Sequence, residues 1–208
     1  MLNYQTILYQ KQRSGVLITL NRPKELNALN EQLMSELDQA LAEAENDPEI
    51  RGVILTGANG AFSVGEDISE DNEPPTAWPY GVPEGTSLNQ VYNRFRDADR
   101  KDILQRQLNR WLYSKPIVAA VSGWCLGAGA SLALTCHITI AADDAVFGQP
   151  QVRHAANTDF IWVALAGFKN ALRYSLTGDH VDAKEALRIG LTNQVVPKAD
   201  LLETCFKY

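Results

Sequence analysis

The sequence predicts an α/β fold, on three observations. Short apolar runs at 16–20, 52–56, 117–121 and 137–142 have the length of strands and show no polar face, as fully buried strands do. Between the first two, residues 30–46 carry Leu33, Leu37, Ala40, Leu41 and Ala44 at helical spacing, so the order is strand, helix, strand. Parallel pairing through a crossover is the topology that order favours. Third, the stretch 115–134, KPIVAAVSGWCLGAGASLAL, joins one such run to a small-residue segment headed by Gly127, Ala128 and Gly129.

The elements follow in order. Residues 4–20 read as strands with a turn at Arg13-Ser14-Gly15, and Asn21-Arg22-Pro23 ends them. Asn30 is placed to cap the first helix, which stops near Asn46-Asp47-Pro48. Gly57 closes the next strand and opens a loop that runs to Ile68, at a strand end of the kind where α/β sheets bind ligands. Glu66 and Asp67, beside Gly65 in this loop, read either as site acids or as a solvated loop with a helix-start cap. Residues 69–87, with Pro74, Pro75, Pro79 and Pro83, predict a long surface excursion. A helix over 88–113 follows, and its charged cluster, with Arg94, Arg96, Arg100 and Arg106, reads as a solvated face.

Strand 117–121 breaks at Ser122-Gly123. If a helix starts at the Gly-Ala-Gly segment, its first amides have no internal partner and make a ready hole for a developing oxyanion. His137 is expected as a packed, hydrogen-bonded residue of strand 137–142, and Phe147-Gly148-Gln149-Pro150 as a turn. Residues 158–176 predict an apolar helix with Phe160, Trp162 and Phe168. Asp182 caps a last short helix, 190–196 is an apolar stub, and the chain ends soon after Leu201-Leu202.

Composition narrows the function. With 208 residues, 45% of them hydrophobic, the expectation is a single domain over 1–208 with a real core. A net charge of -6 argues against nucleic acid or an anionic membrane surface as partner, so an anionic substrate needs a local basic patch. Cys125, Cys136 and Cys205 form no CxxC pair, which fits a reducing, cytoplasmic setting. No signal peptide or membrane-spanning run is read. Neither a dinucleotide fingerprint nor a Walker loop is present. Cys125 stands at the centre of a segment like a nucleophile elbow, but no partner histidine is marked. His137, His154 and His180 lack metal-ligand spacing.

Five segments together resemble the enoyl-CoA hydratase/isomerase family, the crotonases. They are LNRPKELNAL at 20–29, VILTGANGAFSVGEDI at 53–68, KPIVAAVSGWCLGAGASLAL at 115–134, AVFGQPQV at 145–152 and SLTGDHVDAKEALRIGLTNQVV at 175–196. The resemblance implies a crotonase-like spiral of repeated β-β-α units, an acyl-CoA thioester ligand and a homotrimer or dimer of trimers. Coenzyme A enters as part of the substrate, with no permanently bound cofactor and no metal. The resemblance puts the oxyanion-hole amides on Glu66 and Ala128. It puts the nucleotide end near Arg22, Lys24, Leu26 and Ala28, with the backbone of Ser63, Val64 and Gly65. Arg22 and Lys24 supply the local positive charge.

Two positions depart from the family pattern. Where hydratases carry their glutamates, this chain has Ser131 and Gln151, neither of which serves as an efficient base near neutral pH. The chain is an atypical member in this sense. Asp159, eight residues past Gln151, is the alternative acid, and it either faces the thioester or caps the helix. The family's helical C-terminal extension is short or missing here. Two functions stay open: an enzyme that stabilises a thioester enolate, or a non-catalytic CoA-binding or assembly protein on the same fold.

Overall fold

The computed structural model describes residues 4–69, 100–153 and 159–208, with 100–104 and 153 described by backbone alone. Of the expected features, the excursion over 70–87, the start of the helix over 88–113 with Arg94 and Arg96, and His154 lie outside the described residues.

The larger sheet runs β1 (Ile7–Gln12), β2 (Gly15–Leu20), β3 (Val53–Gly57), β5 (Ile117–Val121), β7 (Ile138–Ala142) and β10 (Gln194–Val196), side by side in that order. Only β1 and β2 are antiparallel; the rest pair in parallel, with Val16 opposite Val53 and Val53 opposite Ile117. The smaller sheet is β4 (Ala61–Ser63), β6 (Trp124–Leu126), β8 (Val146–Gly148) and β9 (His180–Asp182). The helices are α1 (Glu31–Asn46), α2 (Arg100–Trp111), α3 (Ala128–Leu134), α4 (Phe160–Thr177), α5 (Ala183–Ile189) and α6 (Leu201–Cys205). A strand of the large sheet, a strand of the small sheet and a helix therefore recur: β3, β4, α2; then β5, β6, α3; then β7, β8, α4. This is the α/β spiral of β-β-α units.

The unbroken apolar strands have a simple cause. Successive side chains of a strand point to opposite faces, and here both faces are buried. Val16, Ile18, Leu20, Val53, Leu55, Ile117 and Ala119 face the main core with Leu33, Leu37 and Ala40 of α1. Leu17, Ile54, Val118, Ala120 and Ile140 face a second core, closed by Leu201 and Cys205 of α6. Both expected caps form: the Asn30 side chain accepts from Leu33 N at 2.9 Å, and Asp182 from Glu185 N at 2.7 Å.

Several expectations are corrected. Phe147 and Gly148 are not a turn but the core of β8, and only Pro150–Arg153 coils, as a 3-10 turn. His137 is exposed and precedes β7; its Nδ1 accepts the Ile117 N–H at 3.0 Å, so it bonds without packing. The expected single helix over 158–176 is kinked at Gly167, which has φ 75° and ψ 158°. Arg106 is not on a merely solvated face: it ties α2 to α1 through Glu31 at 2.8 Å and Asp38 at 3.0 Å. Helix α6 was not expected at all.

The orientation of α2 is unusual. Leu108, Trp111 and Leu112 are 37%, 43% and 82% exposed, whereas Gln107 and Arg110 are each only 5% exposed. Over residues 105–111 the helix turns Leu108 and Trp111 outward and Gln107 and Arg110 inward, the reverse of an ordinary surface helix.

Candidate active site

Two loops are zipped together beneath the site. Val64 N donates to Leu26 O at 3.2 Å, Leu29 N to Gly65 O at 2.7 Å and Asp67 N to Leu29 O at 3.1 Å. Leu29 thus bonds to the residues on either side of Glu66, which turns Glu66's own backbone groups to the opposite side. Asn27 organises the first loop. It is fully buried at φ 58°, a left-handed conformation Asn tolerates better than most residues. Its amide donates to Ala58 O and Ala61 O, and its Oδ1 accepts from Arg22 N.

Two glycines bring this platform against α3. Gly65 has φ 105°, and a Cβ there would lie 3.1 Å from Leu126 O and 3.4 Å from Ala128 N. A Cβ on Gly129 would sit 2.6 Å from Ser63 O, so only glycine lets α3 rest on β4. The amide of Ala128, as the first residue of α3, has no partner within the helix.

One turn further along α3, the Ser131 hydroxyl donates to Asp159 Oδ2. Asp159 is also the N-cap of α4: its Oδ1 accepts from Ile161 N at 3.1 Å. The two readings of Asp159 are therefore compatible, because each carboxylate oxygen has a different task. Gln107 of α2 donates its Nε2 to Asp159 Oδ2 at 3.2 Å. Behind this group, Arg110 Nε donates to Thr135 Oγ1 at 3.0 Å, and Thr135 Oγ1 donates to Ser131 O at 2.8 Å. Burial pushes the Arg110 guanidinium below its usual value; the Asp38 and Asp159 carboxylates favour its cation and the Arg106 cation opposes it.

Gln151 lies beside Gly127, its Nε2 3.6 Å from where a Cβ on that glycine would be. Its Oε1 has no hydrogen-bond partner among the described residues, nor do both amide atoms of the fully buried Gln149. Buried orphans of this kind are rare and cluster where a ligand or water completes them.

The remaining expected residues are peripheral to Asp159. Glu66 is an exposed residue, and Ser63 is fully buried. Lys24 and Leu26 are exposed on the turn that begins at Pro23, and Ala28 is buried behind it. Arg22 is engaged within the protein, with Ala28 O at 2.6 Å and Asp67 at 2.8 Å. Burial raises the Asp67 carboxyl, but the bonds from Ser69 and Arg22 outweigh it and hold the group below its usual 3.8. A depressed carboxyl contributes stability that is present above pH 3.8 and lost as the pH falls through its folded value. Asp67→Asn is expected to destabilise by roughly 1.5–3 kcal/mol in urea unfolding at pH 7, since it leaves the Arg22 cation without its counter-charge. The variant's stability should fall less steeply below pH 4 than that of the parent (about one unit around the usual carboxylate value).

Cysteine nucleophiles are excluded by position. Cys125 is fully buried in β6 and burial raises its thiol well above the usual 9.0; the Cys136 thiol is pushed up to about 12. Among the described residues no cluster of three metal-ligating side chains exists, and no helix is long and apolar enough to cross a membrane. Sequence reasoning missed Gln107, Arg110, Thr135 and Asn27. For Asn27 a signal existed, since Leu-Asn-Ala-Leu-Asn offers an asparagine where a left-handed turn residue is needed.

Comparison with known proteins places this geometry. The family model described as enoyl-CoA hydratase/isomerase matches residues 10–208. A short-chain-enoyl-CoA hydratase of Clostridium acetobutylicum is 37% identical over 203 residues, covering 95% of this chain and 71% of the relative. A crotonyl-CoA hydratase of Syntrophomonas wolfei is 32% identical over 206 residues, covering 96% and 72%. Among solved structures, an enoyl-CoA hydratase/isomerase from Xanthobacter autotrophicus Py2 superposes with a TM-score of 0.82 at 33% identity, covering 99% of this chain and 72% of that one.

Proposed function

Since this chain belongs to the enoyl-CoA hydratase/isomerase family, which supports an acyl-CoA-processing enzyme of that type, we propose that it stabilises a thioester enolate with one carboxylate, Asp159, as its acid–base group. The observation that carries the reading is the meeting of Ser131 and Asp159 one turn past Ala128. In the proposed step the carboxylate takes the α-proton of the acyl group. The C–H electron pair moves toward the thioester carbonyl, and the charge on that oxygen is met by the amides of Glu66 and Ala128. Support for the amide pair comes from the approach of Gly65 to Ala128 N and from the sideways turn of Glu66. The exposure of Glu66 fits a carboxylate that stays out of the hole.

The reading makes the chain an atypical member. Ser131 and Gln151 hold the positions where the resemblance puts the hydratase glutamates, so two-glutamate hydration is not the chemistry proposed. Ser131 instead steadies the one carboxylate, and Gln151 Oε1 offers an acceptor to water or substrate. The coenzyme A end is proposed to lie along Arg22, Lys24, Leu26 and Ala28, against the backbone of Ser63, Val64 and Gly65. Coenzyme A comes only as part of the substrate. With Arg22 held by Asp67, Lys24 is the accessible cation of that loop. The setting proposed is cytoplasmic, in keeping with three buried free thiols.

Assembly as a homotrimer or dimer of trimers is part of the proposal. Its support is the outward apolar stripe of α2, continued by Phe160, whose ring packs edge-on against Trp111 at 5.8 Å, and by Phe168 at 60% exposure. Light scattering at micromolar concentration should give a multiple of 23.0 kDa, and a lone 23.0 kDa species would contradict it.

A second reading, a non-catalytic CoA-binding protein, is favoured by the pair Ser131 and Gln151. One experiment separates the two. The protein is incubated with a panel of acyl-CoAs in deuterated water while binding is measured by calorimetry. Deuterium entering the α-carbon supports the enolate reading. Binding without exchange or turnover, for every ligand tried, sinks it in favour of the second.

A further inference from the structure

We propose that Gln107 of α2 is a positioning residue for Asp159, so that the active-site carboxylate is set from the helix preceding the Gly-Ala-Gly segment as well as from its own. This rests on the reading of Asp159 as the acid–base group.

The carboxylate has two oxygens with different neighbours. Oδ1 is taken up by the Ile161 amide, which fixes the start of α4. Oδ2 receives two donors, the Ser131 hydroxyl and the Gln107 amide at 3.2 Å, so the lone pair left to take a proton is the second one of Oδ1. A carboxylate held only by its cap could still rotate about its last bond. Donors on the second oxygen stop that rotation. Gln107 is 5% exposed, so solvent does not compete for its amide. Its backbone is also held. Arg110, three residues on along the same helix face, is bonded to Thr135, and Thr135 to Ser131 O. Helix α2 thus grips α3 and α4 at once, with a polar pair where its sequence would place an apolar stripe.

The placement has a chemical consequence. Serine and glutamine amide are neutral, so neither competes with Asp159 for a substrate proton. Arg110, whose charge interacts with Asp159, is bonded to Thr135 rather than to the carboxylate. Asp159 is therefore oriented by neutral donors, with no ion pair to it among the described residues.

The test is a double-mutant cycle on α-proton exchange with the same acyl-CoA panel. Gln107→Leu alone should lower the rate at saturating acyl-CoA by about tenfold or more, the effect of a hydrogen bond to a charged group. The half-saturating concentration should stay the same, because Gln107 holds the carboxylate and not the ligand. In an Asp159→Asn background, Gln107→Leu should have no further effect, since the group it acts through is gone. A structural role predicts the opposite, an equal loss in both backgrounds, and that result overturns the proposal. A wild-type rate in folded Gln107→Leu overturns it too. If Asp159→Asn abolishes exchange while Gln107→Leu does not alter it, this inference fails and the reading of Asp159 stands. If Asp159→Asn keeps the wild-type rate, or the wild-type protein shows no exchange, both fail together.

Discussion

Asp159→Asn should lower acyl-CoA turnover by about 10²-fold or more, the lower range of general acid–base contributions. The substitution is close to a pure removal of charge. Asparagine has the same shape and is as good an N-cap, so the bond from Ile161 N and the start of α4 survive. At the other oxygen an amide NH2 cannot accept from Gln107, so unfolding free energy should fall by about 1–3 kcal/mol. Affinity for acyl-CoA should hold, because thioester oxygen and nucleotide are proposed to bind through other residues. Turnover is followed by product formation and α-proton exchange, and affinity by calorimetry. A rate near that of the parent would defeat the assignment and move attention to Glu66, the other acid beside the amide pair.

How far the sequence led to this residue is instructive. Local signals were legible: Asn30 and Asp182 cap their helices as expected, because a cap is written within four residues. Strands β2, β3, β5 and β7 were legible because both their faces are buried and the runs are largely apolar. Strands β4, β6, β8 and β9 are three residues each, too short for any period to show, and they exist because they stack on one another. Helix α6 is five residues and is held by the second core rather than by propensity. Asp159 was a candidate by resemblance, and its contact with Gln107 was hidden. Leu108 and Trp111 of α2 point outward while Gln107 and Arg110 point inward. The helix answers to its surroundings, and no pattern within one chain announces which face will meet a polar site.

The largest stability effect is expected at Trp162. Its side chain is fully buried in the main core, in the first turn of α4, with the Tyr174 ring 6.5 Å away. Trp162→Ala should destabilise by about 3–5 kcal/mol, as large-to-small aromatic substitutions in cores do. Trp162→Phe should be far milder, about 1 kcal/mol, because the indole N–H has no partner among the described residues and its removal relieves an unsatisfied donor. Urea unfolding of the two variants measures both figures, and equal losses would show that the indole nitrogen is bonded after all. Activity should follow stability here. Trp162 N bonds to Asp159 O at 3.1 Å, so a loosened Trp162 lets the carboxylate drift.

The alternation of strands between two sheets bears on how such a chain can diversify. Strands β4 and β6 are neighbours in one sheet while β3 and β5 are neighbours in the other, so the chain between β4 and β5 leaves and returns at points fixed on both sides. Loop-closure entropy grows only with the logarithm of length, so residues can be added or lost in that connection at small cost. The register of neither sheet depends on how many there are. An evolving lineage could thus lengthen or shorten that connection while both sheets keep their register. A designer grafting a different 64–116 connection has the same freedom, provided that Gln107 and Arg110 return to their places.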